Sequence, residues 1–285
     1  MTISGQPLVT IYIPTYNRVD LLKRAVESVR KQTYNNIEII IVDDCSTDGT
    51  EEFLADVAKQ DSRIRYFLKE NNSGACVSRN IAIEKANGDF ITGLDDDDYF
   101  LENRIACFVT EWNEKYKCLF SNLLIKRANN SVRTNYRYSM KDEVVQCDLL
   151  KANHIGNQVF TKTIYLRQIQ GFDPEMQVWQ DLECWYRLLS DQGKAKRIKK
   201  DLYVVDISHP HERITNKKGK KVLQTYQYFC KKHSLNEIEM KDLETHMTNY
   251  SDIKLSYSTY VRKFINFPSL GNFFSLIKKL KAIIK

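Results

Sequence analysis

Four consecutive carboxylates, Asp95-Asp96-Asp97-Asp98, close a short run, Asp89-Phe90-Ile91-Thr92-Gly93-Leu94, whose apolar and β-branched residues suit a strand. Adjacent acidic side chains repel one another, and holding even two of them at one strand end raises their pKa values unless a cation neutralises them. Carboxylates without thiolate or imidazole neighbours suit a hard divalent ion, Mg²⁺ or Mn²⁺, which keeps positions open for substrate phosphates. The other reading of such a run is a solvated acidic loop. What decides between them is which other polar groups the chain delivers to the same place.

The elements that must position the cluster are legible on either side of it. Leu8-Val9-Thr10-Ile11-Tyr12-Ile13 reads as a first strand ended by Pro14, which cannot donate to a sheet ladder. Asn17 then caps a helix with Leu21, Leu22, Ala25, Val26 and Val29 at helical spacing, ending near Gln32. Ile37-Glu38-Ile39-Ile40-Ile41-Val42 is a second strand, too continuously apolar for an exposed edge, and it terminates in Asp43-Asp44. A helix over 46–60, a strand over 64–67, a turn at Asn71-Asn72-Ser73-Gly74 and a helix from Ala75 to Asn87 closed by Gly88 lead into the acidic strand. Strands alternating with helices imply right-handed βαβ units and a mostly parallel sheet covered on both faces. Ligands in such sheets bind at the carboxyl ends of the strands. Pro14-Thr15-Tyr16, Asp43-Asp44 and the acidic cluster all stand at those ends, so three separately spaced polar groups converge on one crevice.

Past Tyr99 the pattern loosens. It predicts a helix over 101–115, a hairpin of 118–126 with 132–138 around Asn129-Asn130, and a strand over 157–160. A turn at Gln170-Gly171-Phe172-Asp173-Pro174, a helix over 179–190 and a last strand over 202–207 follow. The tail reads as helical, 243–250 giving no clear signal. The organisation expected is 1–100 for a ligand-binding βα half, 101–213 for a second half of the same domain, and 214–285 for a basic helical tail.

With 42% hydrophobic and 28% charged residues the chain has the make-up of an ordinary globular protein. No apolar run approaches the roughly 20 residues of a membrane span, and Met1 to Pro7 lacks the regions of a signal peptide, so a cytoplasmic location is expected. Seven scattered cysteines with no C-x-x-C pair indicate neither a disulfide framework nor a zinc site. The net charge of +7 belongs to the tail, since residues 214–285 carry an excess of nine positive charges. In that tail Phe273, Phe274, Ile277, Leu280 and Ile284 gather on one side of a helix and Lys278, Lys281 and Lys285 on another, the pattern of a helix lying in a membrane interface. The alternative is that this apolar face packs on the protein's own core. Nucleic acid is not expected as a partner, because the tail's charge comes without an aromatic stacking pattern.

With these residues in view the chain resembles the family 2 glycosyltransferases of GT-A fold, sugar-nucleotide-dependent enzymes that build bacterial surface polysaccharides. The pieces that carry the resemblance are Val9 to Asn17, Gln32-Thr33, Ile41-Val42-Asp43-Asp44-Cys45-Ser46-Thr47-Asp48-Gly49-Thr50, Ser78-Arg79-Asn80, Gly88-Asp89-Phe90-Ile91 and Leu94-Asp95-Asp96-Asp97-Asp98, in that order. It is thinner from Gly171-Phe172-Asp173 to Asp181-Leu182-Glu183 and absent from the tail. The resemblance implies an α/β, GT-A-type (Rossmann-like) mostly parallel sheet flanked by helices, here with a basic helical C-terminal extension.

It also implies roles. Asp44 would accept a hydrogen bond from a uracil imide N–H while Pro14 and Tyr16 wall the ring, the competing role for Asp44 being a helix cap. Arg79 would reach donor phosphate or base, unless it is a solvated helix arginine. The cluster looks like the family's DXD motif, with Asp97 on a metal (Mn²⁺ or Mg²⁺) and Asp95 and Asp96 nearer the ribose and the water shell. Asp181 matches the late acidic motif and would be the general base, its aromatic neighbours raising its pKa; a plain acid at a helix N-terminus is the other reading, and Glu183 the runner-up carboxylate. In His209-Pro210-His211-Glu212-Arg213, His211 would join the metal.

The function implied is inverting, metal-dependent transfer from a nucleotide-sugar donor, a UDP-sugar, to a lipid-linked saccharide acceptor in O-antigen, capsule or exopolysaccharide synthesis. The enzyme would sit peripherally on the inner face of the cell membrane, its tail on anionic lipid. A catalytically silent nucleotide-sugar-binding or assembly subunit is the rival. A haloacid-dehalogenase-like phosphatase would need Asp-x-Asp-x-Thr where this chain has Pro14-Thr15-Tyr16.

Overall fold

The computed structural model describes residues 5–129, 131–134, 141–209 and 219–284, with side chains to 280. Strand β1 (Val9–Thr15) and strand β2 (Ile37–Asp43) are buried along their whole length and pair in parallel, Val9 opposite Ile37 and Thr15 opposite Asp43. Between them runs α1 (Val19–Arg30); α2 (Thr50–Gln60) leads to β3 (Ile64–Leu68), and α3 (Ala75–Lys85) to β4 (Phe90–Gly93). Strand alternation divides the core. Ile11, Ile13, Ile39 and Ile41 pack with Leu22, Ala25, Val26 and Val29 of α1, whereas Tyr12, Ile40 and Val42 pack with Cys76, Ala82 and Ile83 of α3. Each such aliphatic side chain removed from water contributes about 1.5–3 kcal/mol, so helices on both faces hold the sheet.

Two expectations at the strand end are corrected. Strand β1 continues through Pro14 to Thr15. The Tyr12 carbonyl accepts from Leu94 N on the β4 side, and the Thr15 carbonyl accepts from Asp44 N on the β2 side, so by alternation Pro14 faces the side of β4. Strand β4 ends at Gly93, opposite Tyr12, and the missing N–H of Pro14 therefore has no ladder to interrupt. Asn17 does not cap α1. It lies in the left-handed region (φ 50°) and accepts from Thr47 N, while Asp48, in the loop after β2, takes the Val19 N–H at 2.9 Å. Residues 46–48 are thus spent on joining two loops, and α2 begins only at Thr50.

The second half adds β5 (Tyr99–Phe100), α4 (Arg104–Glu111), β6 (Cys118–Lys126), β7 (Val132–Thr134), β8 (Glu143–Val145), α5 (Gln146–Lys151), β9 (Phe160–Lys162), α6 (Thr163–Gln168), α7 (Gln180–Leu188) and β10 (Lys194–Asp206). One sheet runs through both halves in the order β3-β2-β1-β4-β9-β6-β10-β5, with β7 on β6 and β8 on β10. Strand β9 is antiparallel to both of its neighbours, and β6 and β10 are parallel to each other. The expected strand over 157–160 begins only at Phe160, leaving Asn157 and Gln158 free to point into the crevice loop. Residues 135–138 of the expected hairpin lie outside the described residues.

The tail folds as α8 (Gly219–Lys232), α9 (Glu237–Glu244), a 3₁₀ turn (Thr245–Asn249), α10 (Tyr257–Asn266) and α11 (Leu270–Ile284). Phe229 of α8 is buried against Tyr186 of α7. Helix α10 is tied back by Arg262 and Asn266 on Asp242 and by Thr259 on Glu244. Helix α11 meets α10 through Phe264 and Phe273, whose ring centroids are 5.9 Å apart. Among the described residues no helix is long and apolar enough to cross a membrane.

Candidate active site

Because β1 and β2 overrun β4 by several residues, the chain leaving β4 has an open step into which the four carboxylates turn. They do not share one role. Asp96 is 5% exposed and receives Thr15 Oγ1 at 2.9 Å and Arg18 at 3.1 Å. Burial pushes its carboxyl up to about 6; Arg18 pulls it back and Asp97 adds to the rise. Asp97 receives Arg18 at 3.3 Å, and His209 Nε2 stands 3.5 Å from its Oδ2. Asp95 is held by Arg79 at 3.1 Å, Gln158 at 3.0 Å and Asn157 at 3.0 Å. Asp98, 2% exposed, is structural: it accepts from the Tyr203 hydroxyl at 2.9 Å and from Asp206 N at 2.9 Å, fastening the turn to the end of β10.

A second anchor comes from α1. Arg24 donates to the Asp97 carbonyl and to the fully buried Asp206, and its guanidinium lies 5.0 Å from the Tyr99 ring. Burial alone would raise Asp206, but Ser208, Lys126 and Arg24 hold it well below the usual carboxylate range. The loop that carries His209 therefore starts from a fixed ionised carboxylate. Gly93 permits the close packing behind the turn, since a Cβ there would stand 2.1 Å from Gln158 Oε1 and 2.4 Å from the Tyr12 ring. The Tyr12 hydroxyl donates to that same Gln158 oxygen at 3.1 Å.

Pro14 is buried within β1, and Tyr16 stands 45% exposed at the strand end. Asp44 accepts from Ser73 N and Gly74 N, both at 2.8 Å, and from Lys69, so it organises the loop into α3 as well as facing the crevice end of β2. Arg79 is no solvated helix residue. It bridges Asp95 and Gln180, and its guanidinium lies 5.1 Å from the Phe172 ring.

Asp181 opens α7 just after Trp179, whose backbone is left-handed (φ 58°). Asn153 donates to its Oδ2 at 3.1 Å. Burial pushes the Asp181 carboxyl above the usual range, the Leu182 N–H and Arg79 pull it back, and Asp95 adds to the rise; the two acidic motifs are thus within electrostatic reach of each other. Glu183 has a different fate. Fully buried, it is paired with Arg187 at 2.7 Å, Lys232 at 2.7 Å and His233 at 3.1 Å; burial works against ionisation, but these partners bring it down to about 2. It joins α7 to α8 and is not placed to take a proton from a substrate.

His211 lies outside the described residues; its neighbour His209 is the imidazole found beside Asp97. Among the described residues no group of three or more His, Cys, Asp or Glu side chains could hold a metal ion. Sequence reasoning missed Arg18, Arg24, Asn153, Asn157, Gln158, Tyr203 and Asp206. Only Arg18, adjoining the Pro14 to Asn17 run, carried a local signal.

Comparison with known proteins adds three kinds of match. The family model described as glycosyl transferase family 2 matches residues 10–170. WcaA of Escherichia coli strain K12, a glycosyl transferase assigned to colanic acid biosynthesis, is 35% identical over 237 residues, covering 80% of this chain and 82% of its own. The GalNAc(5)-diNAcBac-PP-undecaprenol beta-1,3-glucosyltransferase of Campylobacter jejuni is 35% identical over 163 residues, covering 55% of this chain and 53% of its own. Among solved structures, S. aureus TarS 1–349 in complex with UDP-GlcNAc superimposes with a TM-score of 0.68 at 17% identity over 91% of this chain and 81% of that one. The mannosyltransferase PcManGT of Pyrobaculum calidifontis, in complex with GDP-Man and Mn²⁺, gives 0.64 at 15% identity over 99% and 82%. At such identities the likeness establishes the GT-A architecture alone.

Proposed function

The chain belongs to glycosyl transferase family 2, and from that premise we propose that it transfers a sugar, with inversion at the anomeric carbon, from a UDP-sugar to a lipid-linked saccharide in the synthesis of a bacterial surface polysaccharide. The observation that carries the proposal is the crevice at the strand ends, where Asp96, Asp97, Arg18 and His209 meet and where the adjoining Asp95–Arg79 pair lies within electrostatic reach of an Asp181 whose carboxyl is raised. A silent subunit would have no use for that raised carboxyl beside the acidic turn.

Pro14, Tyr16 and Asp44 form the base pocket of this reading, the Asp44 carboxylate accepting the imide N–H with lone pairs left over from the Ser73–Gly74 loop. Asp95 and Asp96 face the ribose and phosphates, and Arg79 keeps Asp95 oriented. Asp97 and His209 would hold Mn²⁺ or Mg²⁺, with His211 a further candidate in the same loop. The Asp97 carboxylate fits such an ion, which commonly takes few protein donors and leaves the rest of its shell to diphosphate and water; the imidazole is the less usual donor of the two. When bound it supplies neutralisation of the charge on the departing nucleoside diphosphate.

Asp181 takes the proton of the acceptor hydroxyl while that oxygen bonds to the anomeric carbon and the bond from that carbon to the diphosphate breaks. Asn153 fixes the direction of one carboxylate oxygen. The lipid-linked acceptor rests on the name of the Campylobacter relative and on the tail, which leaves Ile265, Leu270, Phe273 and Phe274 exposed among Lys and Arg side chains, a surface suited to anionic lipid.

Titration calorimetry of UDP with and without Mn²⁺ tests the site. The wild-type chain binds UDP more tightly with Mn²⁺, and Asp97→Ala abolishes that increment together with transfer. An increment unchanged in the variant overturns the assignment of Asp97.

A further inference from the structure

The acceptor side of the site has a construction that glycosyl transfer as read above does not use. The chain has three tryptophans. Trp112 and Trp185 are core residues at 7% and 0% exposure, but Trp179, two positions before Asp181, is only half-buried. Its backbone is left-handed (φ 58°), a conformation that is costly for a bulky side chain and that persists only where the surroundings impose it.

The surroundings come from the C-terminal extension. Trp179 and Tyr250 both pack on the small apolar cluster of Val178, Val222, Met247 and Leu255. The Trp179 ring stands 5.7 Å from that of His246, which is buried and anchored by its Nε2 on the Leu149 carbonyl at 3.1 Å. Tyr250, also half-buried, is set by the 3₁₀ turn before it, its N–H bonding to the Met247 carbonyl at 3.0 Å. Burial raises the Tyr250 hydroxyl; a hydrogen bond with the Trp179 side chain acts against that rise and the charge of Asp181 adds to it, so Tyr250 meets Trp179 and lies within electrostatic reach of Asp181. On the other flank Asn153 holds Asp181 and, through its carbonyl oxygen, the Gly156 N–H at 2.9 Å.

Two rigid, partly exposed aromatic rings beside an oriented carboxylate and an amide make a surface for an amphipathic ring. The aromatic faces receive the C–H face of a sugar, and the polar groups receive its hydroxyls. We propose that Trp179 and Tyr250 form the acceptor-sugar subsite, binding the pyranose that presents its hydroxyl to Asp181, so that the extension supplies part of the active site. This rests on the transfer reading and names a binding surface within it.

The test uses the full chain saturated with UDP and Mn²⁺ and four probes, the hexyl β-glycosides of glucose, galactose, N-acetylglucosamine and N-acetylgalactosamine. With the other two tryptophans buried, intrinsic fluorescence reports on Trp179. At least one probe should change it saturably, and Tyr250→Ala and Trp179→Phe should each weaken that probe, measured for the second variant by saturation-transfer NMR, by about ten-fold, roughly the worth of one aromatic contact. UDP affinity stays within about two-fold of wild type, which shows that both variants are folded at the donor site. Tyr250→Phe, keeping the ring, should retain most of the affinity. No saturable change with any probe, or equal affinity in Tyr250→Ala, overturns the subsite. A wild-type chain that fails to bind UDP strikes instead at the transfer reading.

Discussion

Asp181 and Glu183 stand two residues apart on one helix and illustrate how the same functional group is given opposite properties. Asp181 has burial and Asp95 working against its charge, so its carboxyl is raised. A base must be ionised to act, and kcat should therefore climb with pH through an elevated carboxyl pKa instead of reaching its plateau where an ordinary aspartate ionises. Asp181→Asn should leave UDP affinity unchanged and lower kcat by about 10² to 10⁴; steady-state rates across pH check both statements, and near wild-type turnover in the variant removes Asp181 from the base role. The sequence ranked Asp181 before Glu183 by motif and could not show that Glu183 is neutralised by Arg187, Lys232 and His233. It likewise presented Asp95 to Asp98 as one cluster, whereas only Asp96 and Asp97 meet Arg18, and Asp98 serves Tyr203 and the start of the His209 loop. The run was legible because it is local. Its division was not, because Asn157, Tyr203 and Asp206 come from elements far away in the chain.

At the level of elements, strands β1 to β4 and helices α1 to α3 were readable from apolar runs and helical spacing, most plainly in β1, β2 and α1, which bury continuous apolar faces. What periodicity could not supply were elements of two to six residues such as β5, β8, α5 and α6, too short to show a period and fixed only by their neighbours. The link between α7 and α8 is of the same non-local kind. Glu183 is a buried anion shared by Arg187, Lys232 and His233, and removing one member of such a set leaves uncompensated buried charge. Glu183→Gln should destabilise the chain by about 3 kcal/mol. Because the folded-state pKa lies below the unfolded one, the wild type keeps this contribution above the ordinary value of 4.5 and loses it as pH falls toward about 2. Denaturant melts of both proteins across that acid range should converge as the pH drops; curves that stay parallel would assign the stability to something other than the ion pairs.

On the scale of the whole molecule, the tail is a packed part of the enzyme that also leaves large apolar side chains exposed. Helices α8 and α9 are bound into the core through Phe229 and Leu243, while Ile265 and Leu270 at the α10–α11 hairpin remain 70% and 77% exposed. Each basic residue near an anionic surface contributes about 1 kcal/mol, so attachment through the cations flanking the hairpin, as proposed above, would be reversible and salt-sensitive. The full chain should sediment with phosphatidylglycerol vesicles and not with phosphatidylcholine ones, and a Phe273→Asp, Phe274→Asp double variant should stay in the supernatant; equal sedimentation of the two would return the hairpin to a purely structural role. Enzymes gathered on a membrane face one another at high local concentration, where a bare sheet edge would be a template for another copy's strand. Here one end of the sheet is β5, only two residues long, and the other is β3, which carries Arg65 and is flanked by Arg63 and Lys69. Copies brought side by side would find charge at one of these margins and almost no strand at the other, so the two ends of the strand order offer a neighbour little to extend.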